Sequence, residues 1–193
     1  MPSTPLFDPE RFFAERTPSL LGAAAVVYAI GVVSVASGVP LFEQAVGSDA
    51  SAGLVVVAVL LGGAVGAAGI WALFTAVVYV LSGLLGGSGS LARTAANVGW
   101  GQLPNLLASA VATGAIWFLY LTGGLPSITP THGQLPLWVV LLQVTANVAG
   151  YLWVGYLFAY GIREARNLTL RRAAVVAGVV SVGSIVFSLS SLL

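Results

Sequence analysis

The sequence predicts an all-α, polytopic membrane protein: a bundle of five transmembrane helices with its N-terminus in the cytoplasm and its C-terminus outside. Only 7% of the 193 residues are charged and 58% are hydrophobic, whereas soluble domains carry about 25% charged residues. Several nearly uncharged runs exceed the roughly 18 residues that indicate a transmembrane helix. A chain of this length has too few polar residues to enclose such runs within a soluble fold.

Composition also excludes several kinds of binding and catalysis. A net charge of +1 implies no general affinity for nucleic acid. The chain has no cysteine, which excludes disulfides, thiolate chemistry and sulfur-ligated metal sites. All seven of its positive side chains are arginine. This usage is typical of GC-rich coding and indicates a prokaryotic plasma membrane.

Residues 1–18 are expected to form a short cytoplasmic or interfacial segment ahead of the membrane domain, residues 19–193. They mix acidic and basic side chains, unlike a signal peptide, so we expect the first span to insert as part of the mature protein. Pro9 suits the first turn of a helix, and Phe12 and Phe13 suit the headgroup boundary. A frayed tail explains this segment equally well.

The expected spans are approximately residues 19–39, 52–85, 91–121, 137–162 and 170–193.

The second span would be about 50 Å long as one helix, against a hydrocarbon core of about 30 Å. We expect one tilted helix, because a turn at Gly62 and Gly63 would put irregular backbone at the membrane without polar side chains to satisfy it. Gly62 and Gly66, with Gly69 nearby, form a small-residue face that another helix could approach closely.

Prolines and a serine mark the ends and bends of other spans. Pro40 and the acidic pair Glu43 and Asp49 are expected to mark the exit from the first span into a loop without positive charge. Ser90 is expected to cap the third span. Pro104 should kink that span, because proline has no N–H for the carbonyl of residue 100. Gln102 and Asn105 flank the kink and could satisfy the freed carbonyl.

The arginines support this topology. With the N-terminus in the cytoplasm, all seven fall in cytoplasmic segments, as the positive-inside bias predicts. Splitting the second span would leave five of them outside. The two later cytoplasmic turns form a candidate interaction surface for partners or anionic lipid. The arginines of that surface are Arg93, Arg163, Arg166, Arg171 and Arg172.

Three local patterns together resemble the Yip (Ypt-interacting protein) domain family, small membrane proteins with five helices and a cytoplasmic N-terminus. The first is a short lead, P-x-x-F-F, formed by Pro9, Phe12 and Phe13. The second is a glycine- and serine-rich turn that leads through an arginine–threonine pair to G-W-x-x-x-P. Its residues are Gly86, Gly87, Gly89, Ser90, Arg93, Thr94, Gly99, Trp100 and Pro104. The third is an aromatic fourth span that ends at Gly161 and is followed by a small basic turn.

The resemblance covers almost the whole chain and implies a compact, prokaryotic-type member. Eukaryotic relatives work in ER–Golgi traffic and associate with Rab-type GTPases. The resemblance therefore implies a GTPase-like partner and, for a eukaryotic chain, an ER or Golgi location. Those relatives usually have a longer cytoplasmic N-terminal region than the short lead found here.

Patterns for catalysis and metal binding are not found in the sequence. No acidic residue lies inside an expected span, although ion-coupled transporters usually place carboxylates at membrane depth. His132 lies in the outer loop with no nearby carboxylate and suits an exposed loop residue better than a zinc ligand. No serine has a histidine or lysine placed as a base, and residues 86–90 lack the lysine of a phosphate loop. We expect no enzyme activity, no cofactor and no metal.

Four amide side chains form a candidate intramembrane polar cluster. Gln143 and Asn147 are four residues apart on one helix face, with Tyr151 one turn further, while Gln102 and Asn105 flank the kink. Hydrogen bonds between helices, worth about 0.6 kcal/mol each, are the preferred interpretation. A substrate-lining role is the alternative, and a shared site would require a substantial offset between the helices.

These observations predict a non-enzymatic membrane protein that organises membrane or recruits partners through basic cytoplasmic turns. One alternative is a small permease or lipid-translocating protein that uses the polar residues of spans three and four. Another is an accessory subunit of a larger membrane complex. The expected partners are the bilayer, anionic lipid at the cytoplasmic face, and a membrane-protein or GTPase-like partner.

Overall fold

The computed structural model describes residues 4–46, 52–125 and 135–190, which form α-helices joined by turns. In chain order the helices are α1 (Pro9–Glu15), α2 (Leu20–Ala36), α3 (Val39–Val46), α4 (Ala52–Leu84), α5 (Leu91–Gly101), α6 (Leu103–Leu121), α7 (Leu137–Arg166) and α8 (Leu170–Ser190). Asp49, His132 and most of the outer loop lie outside the described residues.

Five helical stretches in these ranges are long and apolar enough to cross a membrane. They are Leu20–Glu43, Gly53–Leu84, Leu91–Leu121, Leu137–Arg166 and Leu170–Ser190. The prediction of an all-α, multi-pass membrane protein is confirmed.

The first span is longer than expected. A turn at Ser37 and Gly38 separates α2 from α3, and helical structure then continues to Val46. Pro40 is the second residue of α3, where a missing N–H costs no helical hydrogen bond. Pro40 therefore begins a helical turn and does not mark the exit from the span.

The second span is one continuous helix of 33 residues, α4, as expected. Its close contact with α2 is made by Gly63, since a Cβ at this position would lie 2.8 Å from the Gly31 backbone. At Gly62, Gly66 and Gly69, a Cβ would have no atom within 4 Å. The small-residue face predicted at these three glycines is therefore open, and the neighbouring face is the one that packs.

The third span is broken where the sequence predicts a kink. Helices α5 and α6 meet at Gln102, and Pro104 is the second residue of α6. The two flanking side-chain amides do not bond the carbonyl of residue 100, to which the Gln102 backbone N–H donates. Instead, Asn105 Nδ2 donates to Gln102 Oε1 at 2.5 Å.

The N-terminal segment is a folded helix rather than a frayed tail. Asp8 Oδ1 accepts the Arg11 N–H and so caps α1. Phe13 is fully buried, and the Phe12 ring lies 5.5 Å from the Trp100 ring, centroid to centroid. Both phenylalanines thus pack against protein instead of resting at the headgroup boundary as expected.

Helix α7 packs against α5, α6 and α8, while α2 packs against α4, α5 and α6. One apolar core lies where α4, α5, α7 and α8 meet, around Phe158 and Val98. A second lies between α6 and α7, around Ile116 and Val139. The cores leave two polar regions, one at an end of the bundle and one at its middle.

Candidate functional site

All seven arginines lie at one end of the bundle, which we call the arginine end. Contacts between the termini of different helices define it: Trp100 Nε1 donates to the Ser19 carbonyl oxygen ahead of α2, and Arg163 Nη1 donates to Glu10 of α1. At the opposite end, the Tyr120 hydroxyl donates to Glu43 at 2.6 Å. The positive side chains therefore all lie at one end of the bundle, and Glu43 lies at the other.

The turn between α4 and α5, residues 85–90, forms what we call the glycine loop. Gly86 and Gly89 have φ of 85° and 148°, conformations that side chains larger than glycine rarely adopt. The loop ends at Ser90, whose Oγ accepts the Arg93 N–H. The Thr94 hydroxyl donates to the Ser90 carbonyl oxygen at 3.0 Å. The motif residues thus build a specific turn and the helix start that follows it.

Arg166, the last residue of α7, binds the glycine loop through its side chain. Its Nη1 donates to the Gly89 carbonyl oxygen at 2.6 Å and its Nη2 to the Gly87 carbonyl oxygen at 3.0 Å. Its Nε donates to Ser82 Oγ at 2.9 Å, and the guanidinium carbon lies 4.0 Å from the centroid of the Tyr79 ring. Carbonyl dipoles and the ring face stabilise this cation in place of a carboxylate.

This position corrects one expectation. Arg166 is only 3% exposed, so it is not part of an exposed interaction surface. Its hydrogen bonds join it to Ser82 and to the loop, which are far away in the sequence, so no local pattern predicts them. The basic residue nearest the end of α7 is a structural cation.

The other predicted arginines differ in their partners. Arg163 contacts both Glu10 and Glu164, at 2.9 and 3.1 Å. Arg171 and Arg172 are exposed, and Arg93 is partly exposed. Within the described residues, none of these last three contacts a carboxylate. We call Arg93, Arg171 and Arg172 the basic cluster.

The basic cluster adjoins the glycine loop. Arg172 Nη1 donates to the Leu85 carbonyl oxygen at 3.1 Å, and Arg93 lies in the first turn after the loop. Arg93 Nε is buried without a hydrogen-bond partner. The cluster therefore carries positive charge that the described acidic side chains do not neutralise.

Two further motif residues pack helices together. A Cβ at Gly99 would lie 2.6 Å from the Ala23 Cβ, so this glycine lets α5 approach α2. The Gly161 carbonyl oxygen accepts a hydrogen bond from Asn97 Nδ2 at 2.8 Å, joining α7 to α5. Asn97 lies outside the motif spacing, so the sequence pattern does not predict this contact.

A second candidate site is a cavity of about 280 Å³ between α2, α4, α6 and α7, which we call the polar cavity. Gln102, Asn105 and Asn147 all line it. The structure thus brings together three of the four amides of the predicted cluster. Gln143, one turn from Asn147, is not among the lining residues.

Hydroxyl groups extend the polar lining beyond the amides. Ser34 of α2, Ser109 of α6 and Tyr151 of α7 also line the cavity, and Ser34 Oγ lies 3.4 Å from Ser109 Oγ. The two serines were missed, because nothing in their local sequence distinguishes them from other serines in apolar spans. Within the described residues, the Asn147 amide and the Tyr151 hydroxyl have no hydrogen-bond partner. Both residues are half-buried and line the cavity, so their polar groups can bond an occupant.

Comparison with known proteins identifies one family. The family model of the Yip1 domain matches residues 4–192, nearly the full length of the chain. No curated protein and no solved structure matches the chain.

Proposed function

The chain belongs to the Yip1 domain family of membrane proteins, and from that premise we propose that it is a non-enzymatic membrane organiser that gathers anionic lipid at its cytoplasmic end. The basic cluster is the proposed contact. The observation that carries the proposal is the absence of any described carboxylate contact to Arg93, Arg171 and Arg172 beside the rigid glycine loop.

Orientation supports this proposal. Arginine is enriched on the cytoplasmic side of membrane proteins, and all seven arginines of this chain share one end of the bundle. We therefore assign the arginine end to the cytoplasm. In a prokaryote the arginine end would then lie at the inner leaflet of the plasma membrane.

The depth of the cluster favours lipid over a soluble partner. Arg171 and Arg172 are the second and third residues of the membrane-spanning helix α8, so we expect them to lie at headgroup level. Each arginine near an anionic surface contributes about 1 kcal/mol of attraction, so the three residues together contribute about 3 kcal/mol. Positive side chains at the start of a helix are otherwise unfavourable, because the N-terminal end of the helix dipole is itself positive. An anionic headgroup offsets that cost.

Lipid enrichment around the reconstituted protein tests the proposal. The chain lacks cysteine, so Ser88→Cys provides one site for a donor dye in the glycine loop. Energy transfer is measured to head-labelled phosphatidylglycerol and, separately, to head-labelled phosphatidylcholine. We expect stronger transfer to phosphatidylglycerol, lost when Arg93, Arg171 and Arg172 are all changed to Gln.

Arg11→Gln is the matched control, because Arg11 lies at the same end but pairs with Glu15. It should leave the enrichment unchanged. Equal energy transfer to the two lipids, or an enrichment that survives the triple substitution, rejects the proposal.

The polar cavity favours a second candidate function, a permease or lipid-translocating protein. This function is supported by the three amide side chains that line one cavity within the membrane domain, those of Gln102, Asn105 and Asn147. Passage of fluorescent lipid between the leaflets of vesicles tests it. Asn105→Leu and Asn147→Leu should slow this passage, whereas Gln143→Leu should not. A rate equal to that of protein-free vesicles excludes this function for the lipid used.

A further inference from the structure

The polar cavity has two unlike walls. Helix α4 supplies glycine, alanine and the side chains of Ile70, Trp71 and Phe74, and α2 adds mostly apolar side chains with one hydroxyl, that of Ser34. The amides come from Gln102, α6 and α7, and α7 also supplies Tyr151. None of the described lining residues is charged. One wall therefore suits hydrocarbon, and the other suits a neutral group that forms hydrogen bonds.

The cavity lies near the middle of two of the long helices that flank it. Gly66 is close to the midpoint of α4, and Tyr151 is close to the midpoint of α7. Gly62 and Gly66 line the cavity and are also exposed, with no atom within 4 Å of where a Cβ would stand. The opening thus faces hydrocarbon rather than water, and a molecule entering there comes from the membrane.

The size of the cavity admits part of a lipid. Its volume of about 280 Å³ is nearly twice that of an engineered cavity of roughly 150 Å³ that binds benzene. It holds a small head group with the first carbons of attached chains, while the rest of each chain extends into the bilayer. A phosphate in this position would lack a counter-ion, and burying an unpaired charge is strongly unfavourable.

We propose that the polar cavity binds an uncharged lipid whose head group carries hydroxyl and ester carbonyl groups, the chemistry of a diacylglycerol. The Asn147 amide and the Tyr151 hydroxyl, both without a partner among the described residues, bond the head group. The acyl chains leave past Gly62 and Gly66. This site is separate from the basic cluster, and its occupation does not depend on whether anionic lipid is gathered there.

Photocrosslinking in vesicles tests the site. The probes are a diacylglycerol and a phosphatidylcholine that carry the same photoactivatable acyl chains, each added to full-length protein in unlabelled phosphatidylcholine. Mass spectrometry locates the crosslinked peptides. We expect the diacylglycerol probe to label peptides containing Val27, Gly66, Ser109 or Asn147, and the phosphatidylcholine probe to label outward-facing positions instead.

Two pairs of variants separate binding from misfolding. Gly66→Leu fills the mouth of the cavity, whereas Gly69→Leu adds the same side chain to the same helix outside the lining, and both positions have open space. Gly66→Leu should abolish cavity labelling and Gly69→Leu should not. Asn147→Leu should raise the half-saturating probe concentration about tenfold, the effect of one lost hydrogen bond, while Gln143→Leu should leave it unchanged.

Several results overturn the proposal. They are equal labelling of the cavity peptides by the two probes, no labelling of those peptides, and equal effects of Gly66→Leu and Gly69→Leu. Should Asn147→Leu fail to fold, the glycine pair decides the outcome alone. A cavity that holds only water would give no labelling of these peptides by either probe.

Discussion

Arg166 Nη1 lies 2.6 Å from the carbonyl oxygen of Gly89, although 77 residues separate the two along the chain. The bond fixes the glycine loop against the end of α7. Two further bonds from the same guanidinium reach Gly87 and Ser82. Loss of this guanidinium would release the loop beside which Arg93 and Arg172 lie.

Replacement of Arg166 by lysine should destabilise the protein by about 3 kcal/mol, because one ammonium cannot serve three acceptors in fixed directions and each hydrogen bond to a charged group contributes about 1.5–3 kcal/mol. Unfolding by a denaturing detergent in mixed micelles measures the free energy. Arg171→Lys is the control, since Arg171 is exposed and has no bond among the described residues. Equal stabilities of the two variants would show that the loop does not depend on the guanidinium.

A methyl group added at Gly63 should weaken the contact between α2 and α4. It would lie 2.8 Å from the Gly31 backbone, which cannot turn aside as a side chain can, and overpacking of this kind costs about 1–3 kcal/mol. Gly62→Ala adds the same group one residue away, where no atom lies within 4 Å. Only Gly63→Ala should lower the unfolding free energy in mixed micelles. An equal loss in both variants would contradict the packing.

The docking of α1 depends on Phe13. This ring is fully buried, and removing a buried phenylalanine costs about 3 kcal/mol or more. Phe13→Ala should therefore release α1 and speed hydrogen exchange of the amides of residues 12–16. Phe7→Ala should change exchange little, because Phe7 is 79% exposed. Unchanged exchange in Phe13→Ala would show that other contacts hold α1.

Labelling of single cysteines tests the orientation. Ala14→Cys and Thr122→Cys lie at exposed positions at opposite ends of the bundle, and the chain has no cysteine of its own. In intact bacterial cells, a membrane-impermeant maleimide should label Thr122→Cys and not Ala14→Cys, because we propose that the arginine end faces the cytoplasm. Both should react after the cells are opened. The reverse pattern in intact cells would invert the topology and move the basic cluster outside.

Most of the span architecture followed from the sequence, because span length and apolar composition depend only on neighbouring residues. The unbroken α4 and the break near Pro104 also followed from local chemistry, since lipid disfavours irregular backbone and proline lacks an N–H. The end of the first span was misjudged at Pro40, since proline at the start of a helix resembles proline at its end when only composition is considered. Helix α1 was left open because its folding depends on contacts with Trp100 and α7.

The candidate sites were predicted less completely. Residue type predicts the amide cluster, but local sequence does not show which helix faces meet. Which amides share the cavity therefore depends on packing. Ser34 and Ser109 joined Asn147 only through packing of α2, α6 and α7. The burial of Arg166 likewise depends on Ser82 and Tyr79 of another helix.

The sequence by itself determined that this chain resides in lipid, that it crosses the bilayer five times, and that its positive charge gathers at one end. These properties are sums over local residues, so they survive without knowledge of packing. Only the tertiary structure decided which arginine is buried and which amides share a cavity. Apolar residues surround each span almost evenly, so the rotation of each helix is set by close contacts between distant segments, such as Gly31 with Gly63 and Ala23 with Gly99.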